Sequence, residues 1–212
     1  MDIDPIEEDS MTAALPLAGQ DLIDYLLGRD DLTVDDLTDL PEDLRCELID
    51  GRLVLTPNAL PIHQTISMRL GYALEENCPP DLVVNVEQRV LLDRRNEFRP
   101  DVMVFTAEGS RRSPVPAADT LLVVEVISPS SRRNDRRDKL ERYADLRIPA
   151  YWIIDPLAER VTFTQYLIGP DGAYEGRPPT DELVVLDQPW KITLDLPAWT
   201  RRRAYLDEAA RP

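Results

Sequence analysis

From Ile62 to Asn77 the apolar residues Ile62, Ile66, Leu70 and Ala73 recur at helical spacing. That pattern predicts a helix with one buried face, ended by Pro79-Pro80. Three runs of strand character follow at 82–92, 101–105 and 121–127, with an exposed loop expected over 108–119. Ser128-Pro129-Ser130-Ser131 reads as the cap of a strongly charged helix running to about Leu146. Pro149 ends that helix, and Tyr151-Trp152-Ile153-Ile154 is an apolar strand. Strand, helix and apolar strand in this order predict a right-handed crossover in a sheet.

Upstream, a short helix is expected around Asp21–Leu27, ended by Gly28. A second helix is headed by Thr33, with Asp36 in capping-box position, and closed by Pro41. Residues 48–55 read as two strands about the Asp50-Gly51 turn. Downstream, a strand at 160–168, a Gly/Pro-rich loop at 169–180 and strands near 183–186 and 191–194 complete the pattern. Without an internal repeat, it predicts one α/β domain over residues 19–200, an acidic disordered tail at 1–18 and a C-terminal tail at 201–212.

A chain of 212 residues suits one domain, and no apolar run approaches the roughly 20 residues of a membrane span. The first ten residues carry five acids and no base, so no secretory signal is expected. Cys46 and Cys78 have neither disulfide-framework nor zinc-site spacing, which fits a reducing, cytoplasmic setting. The one histidine, His63, argues against a catalytic triad or a multi-histidine metal centre. The net charge of -16 is unevenly spread. Residues 1–50 hold 16 acids and two bases, whereas 13 bases face 10 acids between Arg89 and Arg147. Lysine occurs only at 139 and 191, against 22 arginines.

Two acids stand apart. Glu125 interrupts Leu121-Leu122-Val123-Val124-Glu125-Val126-Ile127, and Asp101 opens the run Val102-Met103-Val104-Phe105. A buried carboxylate costs several kcal/mol unless it is paired, protonated or metal-bound. Either acid alone could be structural, Asp101 by starting a strand or pairing with Arg99, Glu125 by pairing with a buried arginine. On neighbouring strands, the two together suggest an oxygen-donor site for a hard cation. Asp135, Lys139 and Tyr143 share one helical face. Lys139 is either a surface partner of Asp135 or, with Tyr143 and Leu146 beside it, directed at the sheet and the two acids.

Arg99-Pro100-Asp101-Val102, Val124-Glu125-Val126-Ile127-Ser128-Pro129-Ser130-Ser131, Asp135, Lys139, Tyr143 and Tyr151-Trp152-Ile153-Ile154-Asp155 together resemble the Uma-two family of the PD-(D/E)XK nuclease superfamily. Upstream, Leu32-Thr33-Val34, Leu40-Pro41-Glu42-Asp43, Cys46-Glu47-Leu48-Ile49-Asp50-Gly51 and Pro61-Ile62-His63-Gln64 extend the resemblance over roughly residues 30–156. It implies a restriction-endonuclease-like α/β core, a mixed central sheet flanked by helices, with extra β-strands at both ends. It also implies Asp101 and Glu125 as ligands of Mg2+ (or Mn2+). The superfamily's lysine usually sits two residues beyond the second acid. Ile127 stands there, so the resemblance moves that role to Lys139. Glu47 matches the family's upstream acid, as a further catalytic carboxylate or as a solvent-facing residue of a hairpin strand. His63 matches a family position as an auxiliary group or as a cap or packing residue.

The resulting expectation is a magnesium-dependent endonuclease hydrolysing DNA. Arg99, Arg132, Arg133, Arg136 and Arg137 would contact phosphates, although such a charge run can also be a solvated helix face. Asp135 and Tyr143 are auxiliary candidates. A non-catalytic nucleic-acid-binding or protein-interaction module with the same fold is the alternative. Hydrolysis of small phosphate esters is a weaker third reading. A homodimer is expected by analogy alone, no membrane is implied, and the acidic head is either a nucleic-acid mimic or a solubilising tail.

Overall fold

The computed structural model describes residues 19–41, 43–57, 59–128 and 138–211. The acidic tail expected at 1–18 and the arginine-rich start of the charged helix therefore lie outside the described residues. In chain order the helices are α1 (Gln20–Leu27), α2 (Pro61–Glu75), α3 (Lys139–Asp145) and α4 (Leu196–Ala209). The strands are β1 (Cys46–Ile49), β2 (Arg52–Leu55), β3 (Leu82–Val86), β4 (Val90–Asp93), β5 (Asn96–Phe98), β6 (Val102–Thr106) and β7 (Val115–Pro116). They continue with β8 (Thr120–Val126), β9 (Ala150–Asp155), β10 (Thr162–Ile168), β11 (Tyr174–Gly176), β12 (Leu183–Leu186) and β13 (Ile192–Asp195).

The central sheet has the order β11-β10-β9-β8-β6-β3. Its middle is mixed: β6 and β8 are antiparallel, whereas β8 and β9 run parallel on either side of the α3 connection. Because side chains alternate across a strand, the apolar runs of β6, β8 and β9 feed two cores. Val102, Val104, Val124, Trp152 and Ile154 pack under Ile66, Leu70 and Leu74 of α2, together with Trp199 of α4. Met103, Phe105, Val123, Tyr151 and Ile153 face the opposite way, toward Phe98 and Tyr143. A second sheet, β2-β1-β5-β4-β7, lies alongside and has its own core around Leu32, Leu48 and Leu53. The chain leaves β5 in the second sheet and enters β6 in the central one through Arg99-Pro100-Asp101. That three-residue joint places the site.

Several expected elements take a different form. The run at 82–92 is two strands in different sheets, because Glu87 turns the backbone into the left-handed region at φ 51°. The segment 108–119 is partly ordered, with short 3-10 turns and β7, and Val115 and Ala117 are buried. β5 was not expected at all. The residues from 201 onward, expected as a tail, continue α4 as far as Ala209. Asp195 accepts from the Ala198 N–H and caps that helix, while Arg203 donates to the carbonyls of Pro156, Ala158 and Glu159.

The helix expected after Thr33 is a single 3-10 turn, Val34–Leu37, in a stretch whose Asp and Thr side chains compete for backbone groups. Its capping box is present: the Asp36 carboxylate accepts from the Thr33 N–H at 2.8 Å and from its hydroxyl at 2.9 Å. These bonds hold the Asp36 carboxyl below the ordinary carboxylate range. A group with a depressed folded pKa contributes its full stability above the unfolded value, about 4, and loses it as pH falls through the folded one. Thermal melts over pH 2–6 should therefore show Asp36→Asn less stable than the parent at pH 6, with the gap closing in acid. A pH-independent gap would mean that the carboxylate charge contributes nothing.

Candidate active site

The β6–β8 register pairs Val102 with Val124, and one step further it sets Asp101 opposite Glu125. Asp101 lies just beyond the end of the ladder. Its Oδ2 accepts the Val126 N–H at 2.6 Å and meets Nε2 of His63 at 3.3 Å. Glu125 follows the alternation of its strand onto the face that holds Phe98 and Tyr143, and it is 4 % exposed. Lys139, the first residue of α3, is buried rather than on the surface. Its Nζ donates to Glu125 Oε1 at 2.8 Å and to Glu47 Oε1 at 2.9 Å. Tyr143, one turn along α3, brings its hydroxyl to within 3.3 Å of the same Glu125 oxygen.

Glu47 reaches this cluster because β1 borders β5, which leads into the joint. Its Oε1 also accepts the Arg99 N–H at 2.8 Å. The Phe98 ring lies beneath the Lys139 ammonium, 5.6 Å from Nζ to the centroid, and Phe98 meets Tyr143 edge to face. Two carboxylates and one ammonium thus share a largely desolvated space in which each would be costly alone. Beside it opens a cavity of about 330 Å³, lined by Ile49, Asp50, Phe98, Asp138, Lys139, Glu141 and Arg142. At its rim Arg142 Nη2 contacts both carboxylate oxygens of Asp50, at 2.5 Å each.

His63 stands on the first turn of α2 behind Asp101 and is 7 % exposed. Burial works against its protonation, but the hydrogen bond and negative charge of Asp101 outweigh it and raise its pKa. A hydrogen-bonding network that the sequence did not suggest adjoins this corner. Arg45 forks onto Glu87 with both contacts at 2.8 Å, and Gln64 Nε2 donates to Glu87 Oε1 at 2.7 Å. Burial raises the Glu87 carboxyl, but the bonds from Arg45 and Gln64 prevail and leave it lowered. The polar pair Glu87-Gln88 inside an otherwise strand-like run was the one signal in the sequence that could have revealed it.

The fold therefore brings Glu47, His63, Asp101, Glu125, Lys139 and Tyr143 to one end of the central sheet. Arg99 lies at the same joint, with its Nε buried and without a hydrogen-bond partner among the described residues. Asp135, Arg132, Arg133, Arg136 and Arg137 fall outside the described residues.

Among the described residues no three of His, Cys, Asp and Glu form a ready-made metal cage. Magnesium does not demand one, since it is usually held by one or two carboxylates, with water and substrate phosphate completing its shell. Asp101 and Glu125, hard oxygen donors set opposite each other in the sheet register, fit that requirement. They suit neither structural zinc nor a multidentate calcium loop.

Comparison with known proteins agrees with this architecture. A family model described as "Uma2: Putative restriction endonuclease" matches residues 34–200. A crystal structure described as that of a putative nuclease belonging to DUF820, from Anabaena variabilis, superposes with a TM-score of 0.57 at 19 % identity. The likeness covers 81 % of this chain and 92 % of that one, and shows a shared fold. No curated protein matches the chain. The matched segment contains both sheets' joint and every acid of the cluster, and the chain belongs to the Uma2 family of restriction-endonuclease-like proteins.

Proposed function

We propose that this protein is a divalent-metal-dependent endonuclease that hydrolyses phosphodiester bonds of DNA. The observation that supports this reading best is the buried Lys139 ammonium, held between Glu125 and Glu47. A lysine and two carboxylates gathered at a sheet terminus beside a cavity supply the charges of both signs that metal-assisted phosphoryl chemistry uses.

Asp101 and Glu125 would hold Mg2+ or Mn2+. Such an ion, when bound, polarises a phosphoryl oxygen and lowers the pKa of a water ligand. The chain's own groups do the rest. Lys139 presents a cation where negative charge grows on the phosphorus oxygens, and the apolar Phe98 surface beneath it keeps that charge poorly hydrated and strong. Glu47 holds the lysine in place from the second sheet. His63 and the Val126 N–H fix the rotamer of Asp101. Arg99 and the arginines at 132, 133, 136 and 137 are positioned in the sequence to contact flanking phosphates.

The substrate class is tested by incubating the protein with magnesium and, separately, supercoiled plasmid, single-stranded DNA, RNA of the same sequence and a small aryl phosphodiester. Cleavage confined to DNA is the expected result. Turnover of the small diester alone would replace the nuclease by a phosphoesterase, and tight DNA binding without any cleavage would favour a binding module.

A further inference from the structure

Glu87 immediately follows β3 and takes a left-handed backbone conformation, φ 51°, that glycine adopts readily and glutamate does not. If this position served only to turn the chain between the two sheets, glycine would do so with less strain. A glutamate there points to a use for its side chain. The contacts show what it joins. Its carboxylate takes Arg45 in a two-pronged ion pair, and Arg45 lies two residues before Glu47 at the entry to β1. The same carboxylate takes Gln64, the neighbour of His63 on α2. Its backbone N–H donates to the Asp101 carbonyl at 3.1 Å.

We infer that Glu87 is the positioning residue of this site, fixing the three segments that carry Glu47, His63 and Asp101 relative to one another. The inference rests on the nuclease reading of the site and adds a part that reading does not contain. Its carboxylate and its backbone N–H together reach all three segments. Glu47 comes from the second sheet, His63 from a helix on one face of the central sheet, and Asp101 from the joint between sheets. Direct contacts already link them in sequence, His63 to Asp101 and Glu47 to the Arg99 N–H of the joint, and Glu87 braces the same three segments a second time from one point. Among the described residues the contacts of Glu87 run to Arg45, Gln64 and the Asp101 backbone, and its effect on the site passes through them. A displacement of about 1 Å in a catalytic group can cost on the order of 100-fold in rate.

The test uses the full chain and two variants. Glu87→Gly keeps the backbone conformation without strain and removes every side-chain contact. Glu87→Gln keeps size and one acceptor oxygen. Plasmid cleavage in magnesium is read as separate kcat and KM values. His63 is the only histidine in the chain, so its imidazole resonances report the site without assignment ambiguity. In Glu87→Gly, kcat should fall about 30–100-fold with KM within about twofold, and the imidazole signals should move or split. Glu87→Gln should recover part of the rate. Wild-type kcat together with an unshifted imidazole in Glu87→Gly would overturn the assignment. If the parent protein itself cleaves nothing, the nuclease reading fails on its own, and the imidazole signals still decide: moved in Glu87→Gly they support the clamp, unmoved they overturn it. If Glu87→Gly does not fold, Glu87→Gln decides, with wild-type kcat and an unmoved imidazole counting against the assignment.

Discussion

Replacing Lys139 by methionine is expected to slow DNA cleavage by about 10²–10³-fold, the usual cost of removing one preorganised group that stabilises transition-state charge. Methionine keeps most of the buried stem and its contact with Phe98, so the loss is that of the charge. Divalent-metal affinity should stay within a few-fold of the parent, because Asp101 and Glu125 remain. The same change has a second, independent consequence. Glu125 and Glu47 keep side-chain exposures of only 5 % and 11 % and lose the ammonium between them. Breaking a buried ion pair from one side typically costs about 3–5 kcal/mol, so the urea midpoint should drop clearly in metal-free buffer. Added magnesium should restore more stability to the variant than to the parent, since it answers a repulsion that the parent does not have. A variant with full activity and an unchanged urea midpoint would show that the Lys139 charge serves neither catalysis nor stability.

Asp101→Asn carries the second large effect. The amide oxygen of asparagine can still accept the Val126 N–H that Asp101 Oδ2 takes at 2.6 Å, so the joint between the sheets should hold. What disappears is a negative charge set opposite Glu125. Calorimetric titration of the DNA-free protein with Mn2+ should show affinity weakened by more than the roughly 10–100-fold typical of losing an outer-shell partner. Cleavage should be lost with it. Unchanged manganese affinity would move the metal away from Asp101 and leave that residue the role of starting β6.

Much of this site was legible in the sequence, and the residues show why. Glu125 stood out because a carboxylate in a strand apolar on both faces has to be compensated, and the central sheet is indeed covered on both faces around it. Asp101 was visible through the same logic, and the two strands, read as neighbours in one sheet, do pair as β6 and β8. Lys139 was placed on the correct helical face by spacing, and its burial at 5 % exposure settles which of its two readings applies. Glu47 came only from the family resemblance. Four residues of alternating character in a hairpin cannot reveal that a neighbouring sheet will fold over one of them.

The second sheet was the larger omission. β5 is three residues long, and its sequence Asn-Glu-Phe has no strand pattern, yet Asn96, Glu97 and Phe98 are all buried. Glu97 is tolerated there because Arg89 reaches it at 3.1 Å, although burial still leaves its carboxyl raised. Such pairing joins residues through space, and periodicity along the chain carries no trace of it. The same holds for Glu87. It was absorbed into one long strand because the run 82–92 is apolar on average, and its left-handed turn is stabilised by Arg45 and Gln64, distant in sequence by 42 and 23 residues.

The most direct measurement of the central claim is the initial rate of supercoiled-plasmid cleavage against magnesium concentration, for the parent protein and Glu125→Ala, with an EDTA control. The proposed mechanism expects a saturable magnesium dependence in the parent, no cleavage in EDTA, and at least about a 1,000-fold loss in Glu125→Ala, beyond that of a single oxyanion-hole donor. Cleavage that persists in EDTA, or that Glu125→Ala retains at the parent's rate, would contradict it.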